Sequence, residues 1–321
     1  MKSSTPCQYR IEHRCNFHYE TAAHGSVMLL RLYPREDAGQ QVLDFDLRTE
    51  PLTLPVPCMD AFGNRCHLIN VHRMHQQTVL QARTRVAAAP DPQLPVDPDA
   101  GSWKALTETT DRVGHWAFLN PSRFVYVCEP LKAFVAAHEI ERGQNPLSSL
   151  LQAASKLYEA FSYTPGSTHV DSTIEHILET RHGVCQDYTH VLIAIGRSWG
   201  IPSRYVSGYL HLEGIGNEQT PAGASHAWAE FWIPGLDWVG IDPTNNTPAD
   251  HRHIRMAIGR DYADAAPTQG TYFSGGHSRL EVCVTVASTD EPVSSARPFA
   301  EPANLSQVPA VAHPPRASLE Q

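Results

Sequence analysis

The chain has 321 residues, 41% of them hydrophobic, which is enough for two folded domains with separate cores. No apolar run approaches the ~20 residues of a membrane-spanning helix, so the composition argues against a membrane protein. The formal net charge of −9, without a clustered Lys/Arg stripe, argues against nucleic acid as a partner.

The first part of the chain alternates apolar and polar residues in short runs, from Tyr9 to about Val86. Evenly spaced strands with few helical signals are typical of an antiparallel sandwich. We therefore predict an all-β sandwich-like domain over residues 1–95. Four prolines between positions 90 and 98 indicate a stiff linker or extended crossover at its end.

Helical signals dominate the next part of the chain. Pro130 suits the first turn of one helix, and Asn145 with Pro146 supplies the cap and first turn of another. Apolar residues then recur at helical spacing from Leu147 to Phe161. These segments predict that helices dominate this part of the chain.

Cys185 opens the most informative helix of the chain. It follows a break at Gly183, and the apolar residues beyond it have the spacing of one buried helical face. A cysteine in a first helical turn lies beside free backbone N–H groups and the positive end of the helix dipole. Both features favour the thiolate, which is the nucleophilic form. We therefore predict an activated thiol at Cys185.

Two strands downstream supply partners for this thiol. Residues 225–233 read as one strand that carries His226, and residues 238–244 read as a second strand that carries Asp242. A tight turn through residues 234–237 makes them an antiparallel hairpin, with His226 and Asp242 at the same end. A carboxylate beside an imidazole fixes its tautomer and stabilises its cation. The pattern thus predicts a catalytic Cys185, His226 and Asp242.

Other residues compete for these roles. His190 lies five residues beyond Cys185, about 140° around the helix, and so points away from the thiol. His182 precedes the glycine break and remains an alternative base. Asp187 suits the helix dipole better than the role of third member. Trp228 is either a core aromatic or a wall of the cleft.

The remaining segments close the second domain. Residues 259–262 either orient loops over the site or anchor the chain to the core, and the sequence leaves both readings open. Alternation at residues 280–286 predicts a closing strand, which we include in a catalytic domain over residues 96–287. Residues 288–321 hold six prolines and little apolar content, so we predict a disordered tail.

Cysteine and histidine usage bear on compartment and metals. Seven cysteines without a Cys-x-x-Cys pair disfavour a disulfide framework and a zinc ribbon, and residues 1–10 lack a signal-peptide segment. We therefore expect a cytoplasmic protein. His251 and His253 have no cysteine or carboxylate set near them at ligand spacing. We interpret most of the 18 histidines as surface or capping residues, and expect neither a metal ion nor another cofactor.

Four ordered motifs resemble the transglutaminase-like superfamily, in particular its bacterial branch, often described as transglutaminase-like cysteine proteases. The motifs are Arg-His-Gly-Val-Cys-Gln-Asp-Tyr at 181–188, Gly-Ile-Pro-Ser-Arg-Tyr-Val-Ser-Gly-Tyr at 200–209, His-Ala-Trp-Ala-Glu at 226–230 and Trp-Val-Gly-Ile-Asp-Pro-Thr-Asn at 238–245. The resemblance extends to Gly-Arg-Asp-Tyr-Ala-Asp at 259–264 and to the amino-terminal half. It implies an α+β fold: a papain-like core of helices packed on an antiparallel sheet, with the nucleophile at a helix N-terminus.

The resemblance also implies Cys-His-Asp chemistry on amide or thioester carbonyls. We expect a peptidase or amidase that works on a peptide or protein substrate through a thioester acyl-enzyme. The backbone N–H of Cys185 is one candidate donor for the oxyanion. Two alternatives stay open, a transglutaminase-type transamidase and a non-catalytic peptide-binding module of the same fold.

Overall fold

The structure is a computed structural model that describes residues 6–37, 39–89, 102–212, 225–274 and 276–289. The predicted proline-rich linker and residues 290–321 of the predicted tail lie outside the described residues. The elements in chain order are β1 (Cys7–Leu30), β2 (Gln40–Glu50), β3 (Val56–Met59), β4 (Arg65–Val71), β5 (His75–Ala88), α1 (Trp103–Thr109), α2 (Trp116–Leu119), α3 (Glu129–Ala137), α4 (Pro146–Ala160), β6 (Ser162–Tyr163), α5 (Ile174–Thr180), β7 (His182–Gly183), α6 (Cys185–Ser198), β8 (Ser203–Leu210), β9 (Ser225–Ile233), β10 (Asp237–Asp242), β11 (Thr247–Pro248), β12 (His253–Gly259), α7 (Tyr262–Ala265), β13 (Thr268–Phe273) and β14 (Ser278–Ser288).

The first sheet has seven strands and is organised around the long strand β1. Its path is β2-β5-β1-β4-β3, and β13 and β14 also pair with β1. The first half of β1 lies between β5 and β14, whereas its second half lies between β4 and β13. Alternate side chains of β1, among them Tyr9, Ile11 and Cys15, are buried, as the period-2 pattern predicts. The prediction of a β-rich amino-terminal unit is confirmed.

Strand β14, the closing strand that we placed in the predicted catalytic domain, pairs with β1 of the first sheet. Residues 9–19 of β1 pair with it along its whole length, and its Val284 is buried in the first core. The alternating pattern at 280–286 indicates a strand and shows which of its side chains share a face. It does not show which strand it pairs with. The predicted catalytic domain, which ends at residue 287, therefore includes a strand that belongs to the first sheet. The rest of the division into domains stays a prediction.

The second sheet has the order β11-β10-β9-β8-β12, with every neighbouring pair antiparallel. Helix α6 lies against β8 and β9, and α4 and α5 pack against α6. Val191, Leu192 and Ile195 of α6 are fully or almost fully buried in a core that includes Phe231 of β9. Helices packed on an antiparallel sheet confirm the predicted α+β class.

Local sequence explains how the helices begin. Asn145 caps α4, because its side-chain oxygen accepts a hydrogen bond from the backbone N–H of Ser148 at 2.9 Å, and Pro146 occupies the first turn. Pro130 likewise lies in the first turn of α3.

In the described part of the chain, no helix is both long enough and apolar enough to cross a membrane.

The first unit covers the free edge of β12. The side-chain amide of Asn64 donates to the carbonyl of Ile258 at 2.8 Å and accepts from its N–H at 2.9 Å. Gln40 makes the same reciprocal pair with Arg255, with both distances at 2.9 Å. Two side-chain amides thus replace the missing neighbouring strand and satisfy the backbone groups of a buried edge.

We expect Asn64→Ala to lower the free energy of unfolding by about 2–4 kcal/mol, since it leaves the N–H and C=O of Ile258 buried without partners. Urea unfolding monitored by tryptophan fluorescence measures the change. Asn16→Ala is the matched control, because the hydrogen bonds of Asn16 lie at the surface. Equal stabilities for the two variants would contradict the role assigned to Asn64.

Candidate active site

Cys185 is the first residue of α6 and is mostly buried, with 9% of its surface exposed. The carboxylate of Asp187 accepts the backbone N–H of Val184 at 2.8 Å and the hydroxyl of Thr168 at 2.8 Å. Asp187 therefore caps the helix start, and it lies in the first turn, where the sequence predicts that it complements the helix dipole. Gly183 is required by the close approach, because a Cβ there would lie 2.7 Å from the Ile177 side chain.

The predicted hairpin brings His226 and Asp242 together. Strands β9 and β10 are joined by a tight turn in which Gly235 and Asp237 have φ of +79° and +60°. At the other end of the hairpin, Nε2 of His226 lies 2.7 Å from Oδ2 of Asp242. The thiol of Cys185 interacts with the same imidazole and helps to raise its pKa. Because Nε2 faces Asp242, Nδ1 is the ring nitrogen left for the thiol.

Electrostatics in this cluster favour an imidazolium. Burial lowers the pKa of His226, but the hydrogen bonds to Asp242 and Cys185 outweigh it and raise the pKa to about 10. Burial likewise opposes ionisation of Asp242, whose pKa is nevertheless held far below its ordinary range by hydrogen bonds from His226, His253 and Asn245. The arrangement therefore favours a charged imidazole beside an ionised carboxylate.

Asp242 has two separate sets of partners, one for each oxygen. Its Oδ1 accepts the backbone N–H groups of Thr244 at 2.9 Å and Asn245 at 3.2 Å, which makes the turn after β10. Its Oδ2 accepts from His226, from the Asn245 side-chain amide at 2.6 Å and from Nε2 of His253 at 3.2 Å. The residue makes the turn with one oxygen and faces the imidazole with the other.

His253 and Asn245 are the residues that sequence reasoning missed. The interpretation of most histidines as surface or capping residues does not extend to four buried ones, whose exposed fractions are 1% for His13, 8% for His75, 2% for His190 and 4% for His253. The sequence offered one signal that His253 is buried, namely its place as the first residue of an apolar strand. Which carboxylate it meets depends on the pairing of β12, which the sequence does not give.

The alternative bases lie elsewhere. Nε2 of His190 accepts the backbone N–H of Tyr262 at 3.2 Å, and the ring stacks on Phe124 with centroids 5.6 Å apart. His182 is exposed and hydrogen-bonded to the Thr164 hydroxyl at 3.1 Å.

Residues 259–262 anchor the chain. Asp261 caps α7 through the N–H of Ala263 at 2.9 Å and also accepts the N–H of Phe124 at 2.9 Å. The carbonyl of Arg260 accepts from the buried guanidinium of Arg197 at 2.6 Å. The choice that the sequence left open is thus decided in favour of an anchor to the core.

Two aromatic residues border the cluster. Trp228 is fully buried, and its ring meets His253 edge-on with centroids 5.2 Å apart, so it is a core aromatic. Tyr163 is half-exposed and pairs with Gly183 through β6 and β7. Burial and the nearby charges of Cys185 and Asp242 are among the causes that raise the pKa of Tyr163 to about 12. The phenol of Tyr163 therefore stays neutral near the charges of the cluster.

The ligand-type atoms of His226, Asp242 and His253 lie within 4.8 Å of one another. Hydrogen bonds account for this proximity, because both imidazoles direct Nε2 at the same carboxylate oxygen. A metal ion would have to displace both Nε2 protons. The arrangement therefore fits a hydrogen-bonded cluster better than a metal centre.

Sequence comparisons match two segments of the chain to known families. Residues 135–243 match the transglutaminase-like superfamily, and residues 9–87 match the bacterial transglutaminase-like N-terminal region. An uncharacterised protein of Mycobacterium leprae is 31% identical over 284 residues, which cover 86% of this chain and 97% of that protein. A protein-glutamine gamma-glutamyltransferase of Pseudomonas aeruginosa is 35% identical over 108 residues, or 30% of this chain and 15% of that protein.

A comparison with solved structures supports the same architecture. The crystal structure of a proposed cysteine protease from Cytophaga hutchinsonii aligns with a TM-score of 0.70 at 22% identity, over 92% of this chain and 94% of that one. At this level of identity the likeness concerns the fold.

We expect chelation to leave the melting temperature and the alkylation rate of Cys185 unchanged, because hydrogen bonds alone hold the cluster. Calorimetry and mass spectrometry after treatment with EDTA measure the two quantities. Loss of either, with recovery on addition of zinc, would show that the cluster holds a resident metal.

Proposed function

The chain belongs to the transglutaminase-like superfamily, and on this premise we propose that it is a thiol enzyme that hydrolyses amide bonds in a peptide or protein. One observation supports the proposal above all. The Cys185 thiol, at the start of a buried helix, interacts with the imidazole of His226, whose Nε2 lies 2.7 Å from Oδ2 of the buried Asp242. A nucleophile, a base and an orienting carboxylate in this order are what acyl transfer requires.

The reaction proceeds in two halves. The Cys185 thiolate attacks the amide carbonyl, and the His226 imidazolium gives its proton to the departing amine, which leaves a thioester on the enzyme. Water then attacks the thioester while neutral His226 takes its proton, and collapse of the intermediate releases the carboxylic acid and restores the Cys185 thiolate beside the imidazolium. Asp242 accepts the Nε2–H of His226 throughout, so that Nδ1 stays directed at the thiol.

The negative oxygen of each tetrahedral intermediate needs donors. The first N–H groups of a helix have no intrahelical acceptor, and the N–H of Cys185 is one of them in α6. We assign it the role of one oxyanion donor, since it accompanies the nucleophile and needs no rearrangement when charge develops.

Transamidation is the second candidate. The matched segment of 108 residues is 35% identical to a protein-glutamine gamma-glutamyltransferase, although it spans only 15% of that protein. The two reactions share the thioester and differ in whether water or a primary amine resolves it. A non-catalytic peptide-binding module is less consistent with the cluster, because peptide binding alone does not require a thiol, an imidazole and a carboxylate to be joined in series.

The free cysteines support a reducing compartment. All seven lie in the described ranges, and none forms a disulfide there. We therefore propose the cytoplasm as the location.

A glutamine-containing peptide offered together with a fluorescent amine separates the two reactions. We expect release of ammonia without incorporation of the amine, and no reaction by Cys185→Ala at an unchanged fold. Incorporation of the amine would assign transamidation instead. Turnover by the alanine variant beyond a trace would place the nucleophile elsewhere.

We expect Asp242→Asn to reduce kcat/KM by about 10²–10⁴, because the amide can present an N–H where the imidazole needs an acceptor and no longer stabilises its cation. The backbone N–H bonds to Oδ1 remain possible in this variant. Kinetics measured beside the melting temperature distinguish the roles. Near-normal kinetics would mean that Asp242 serves only the turn.

A further inference from the structure

His253 is a buried polar residue that the reaction outlined above does not use. It begins β12, and only 4% of its surface is exposed. Its Nε2 lies 3.2 Å from Oδ2 of Asp242, the same oxygen that accepts from His226. An ionised carboxylate only accepts hydrogen bonds, so Nε2 of His253 carries a proton and donates it.

The turn before β12 holds the ring of His253. The backbone N–H of Asp250 donates to Nδ1 at 3.0 Å, which assigns the proton to Nε2. The Asp250 carboxylate lies 3.2 Å from the same nitrogen, but Arg252 binds both of its oxygens at 2.6–3.1 Å. Trp228 meets the ring edge-on. Both ring nitrogens of His253 therefore have hydrogen-bond partners, and an aromatic residue packs against the ring.

We propose that His253 is a positioning residue, whose Nε2–H fixes Oδ2 of Asp242 in the direction of His226. This inference rests on the proposed function. The carboxylate rotates about one bond, and its Oδ1 is already held by the turn N–H groups. His253 and Asn245 hold Oδ2 from two further directions, so the oxygen stays in line with the His226 Nε2–H. His253 acts on the thiol only through Asp242 and His226.

The amino-terminal unit contributes to this placement. The side-chain amides of Gln40 and Asn64 form hydrogen bonds to the backbone of β12. They bind at Arg255 and Ile258, which lie two and five residues beyond His253. A strand held at its edge by buried amide pairs keeps its first residue in register with β8. These side-chain amides therefore connect the amino-terminal unit to the strand that carries His253.

The ionisable groups around the two imidazoles come from three elements and one turn. Cys185 of α6 and Asp242 of β10 interact with His226, and Asp242 and Asp250 lie beside His253. Tyr163 of β6 interacts with the charges of Cys185 and Asp242, and Arg252 binds Asp250. Removal of the His253 N–H frees Oδ2 to move, and the His226 imidazolium then loses part of its stabilisation. The thiolate and imidazolium should consequently coexist over a narrower pH range.

The test compares His253→Leu, which removes the donor, with His253→Gln, whose side-chain amide supplies one. Cys185 is alkylated with iodoacetamide at about pH 5.5, where an ordinary thiol is almost entirely protonated. Peptide mapping measures the extent of alkylation of Cys185, with the exposed Cys7 as an internal reference. His226→Gln serves as the variant without the ion pair, and circular dichroism verifies each fold.

We expect wild-type Cys185 to react rapidly at this pH, and His226→Gln to lose that reactivity. His253→Leu should react about tenfold more slowly and lose about tenfold in kcat with KM nearly unchanged, as befits the loss of one hydrogen bond to a charged group. The high-pH limb of its kcat/KM profile should move to lower pH. His253→Gln should recover most of the loss.

Three results would overturn the inference. A folded His253→Leu with wild-type alkylation, kcat and pH profile would show that the contact has no effect on the cluster. A ¹⁵N spectrum of the wild-type protein with His253 unprotonated at Nε2 would do so without any variant. An unreactive wild-type Cys185 at about pH 5.5 would instead reject the proposed function, and this inference with it.

Discussion

The ionised carboxylate of Asp242 is the constraint around which the rest of the site is arranged. The residue is fully buried, and a buried charge is tolerated only where donors replace the lost water. Here they are two backbone N–H groups, the Asn245 amide and the imidazoles of His226 and His253. The elements that supply these donors must therefore meet at one point, which fixes the turn after β10 and the starts of β9 and β12.

Three alternate residues of strand β9 each make a different contact within the site and the core. His226, Trp228 and Glu230 occupy alternate positions and so share a face of the strand. The first bonds to Asp242, the second packs against His253, and the third is a fully buried carboxylate between Arg204 and Arg255. Burial opposes ionisation of Glu230, yet the two guanidinium groups lower its pKa to about 2. The polar side chains of His226 and Glu230 are thus compensated by residues of β10, β8 and β12.

The two sheets depend on each other at β12. One edge of this strand pairs with β8, and the other would be an unpaired edge if Gln40 and Asn64 did not bind it. The return of β14 to β1 adds a second connection, because the end of the described chain completes the first sheet. The amino-terminal unit is therefore part of the support of the site as well as a separate layer of the fold.

The sequence by itself determined the elements and the order of the reactive residues. Periodicity and capping located α4 and α6, and the motif order around Cys185, His226 and Asp242 indicated the family and the α+β class. These features are local or depend on chain order, so they can be read without knowledge of which strands pair. The roles of the three residues in catalysis remain a proposal that the geometry supports.

Only the tertiary structure decided which distant residues meet. The sequence pattern of β14 is the same whichever sheet it joins, and the pattern of β12 does not reveal that His253 faces Asp242. A histidine in isolation is more simply interpreted as a surface residue, and only the pairing of β12 with β8 shows that it is buried. Long-range pairing sets these contacts because hydrogen bonding between strands is non-local, and one sequence pattern is compatible with several partners.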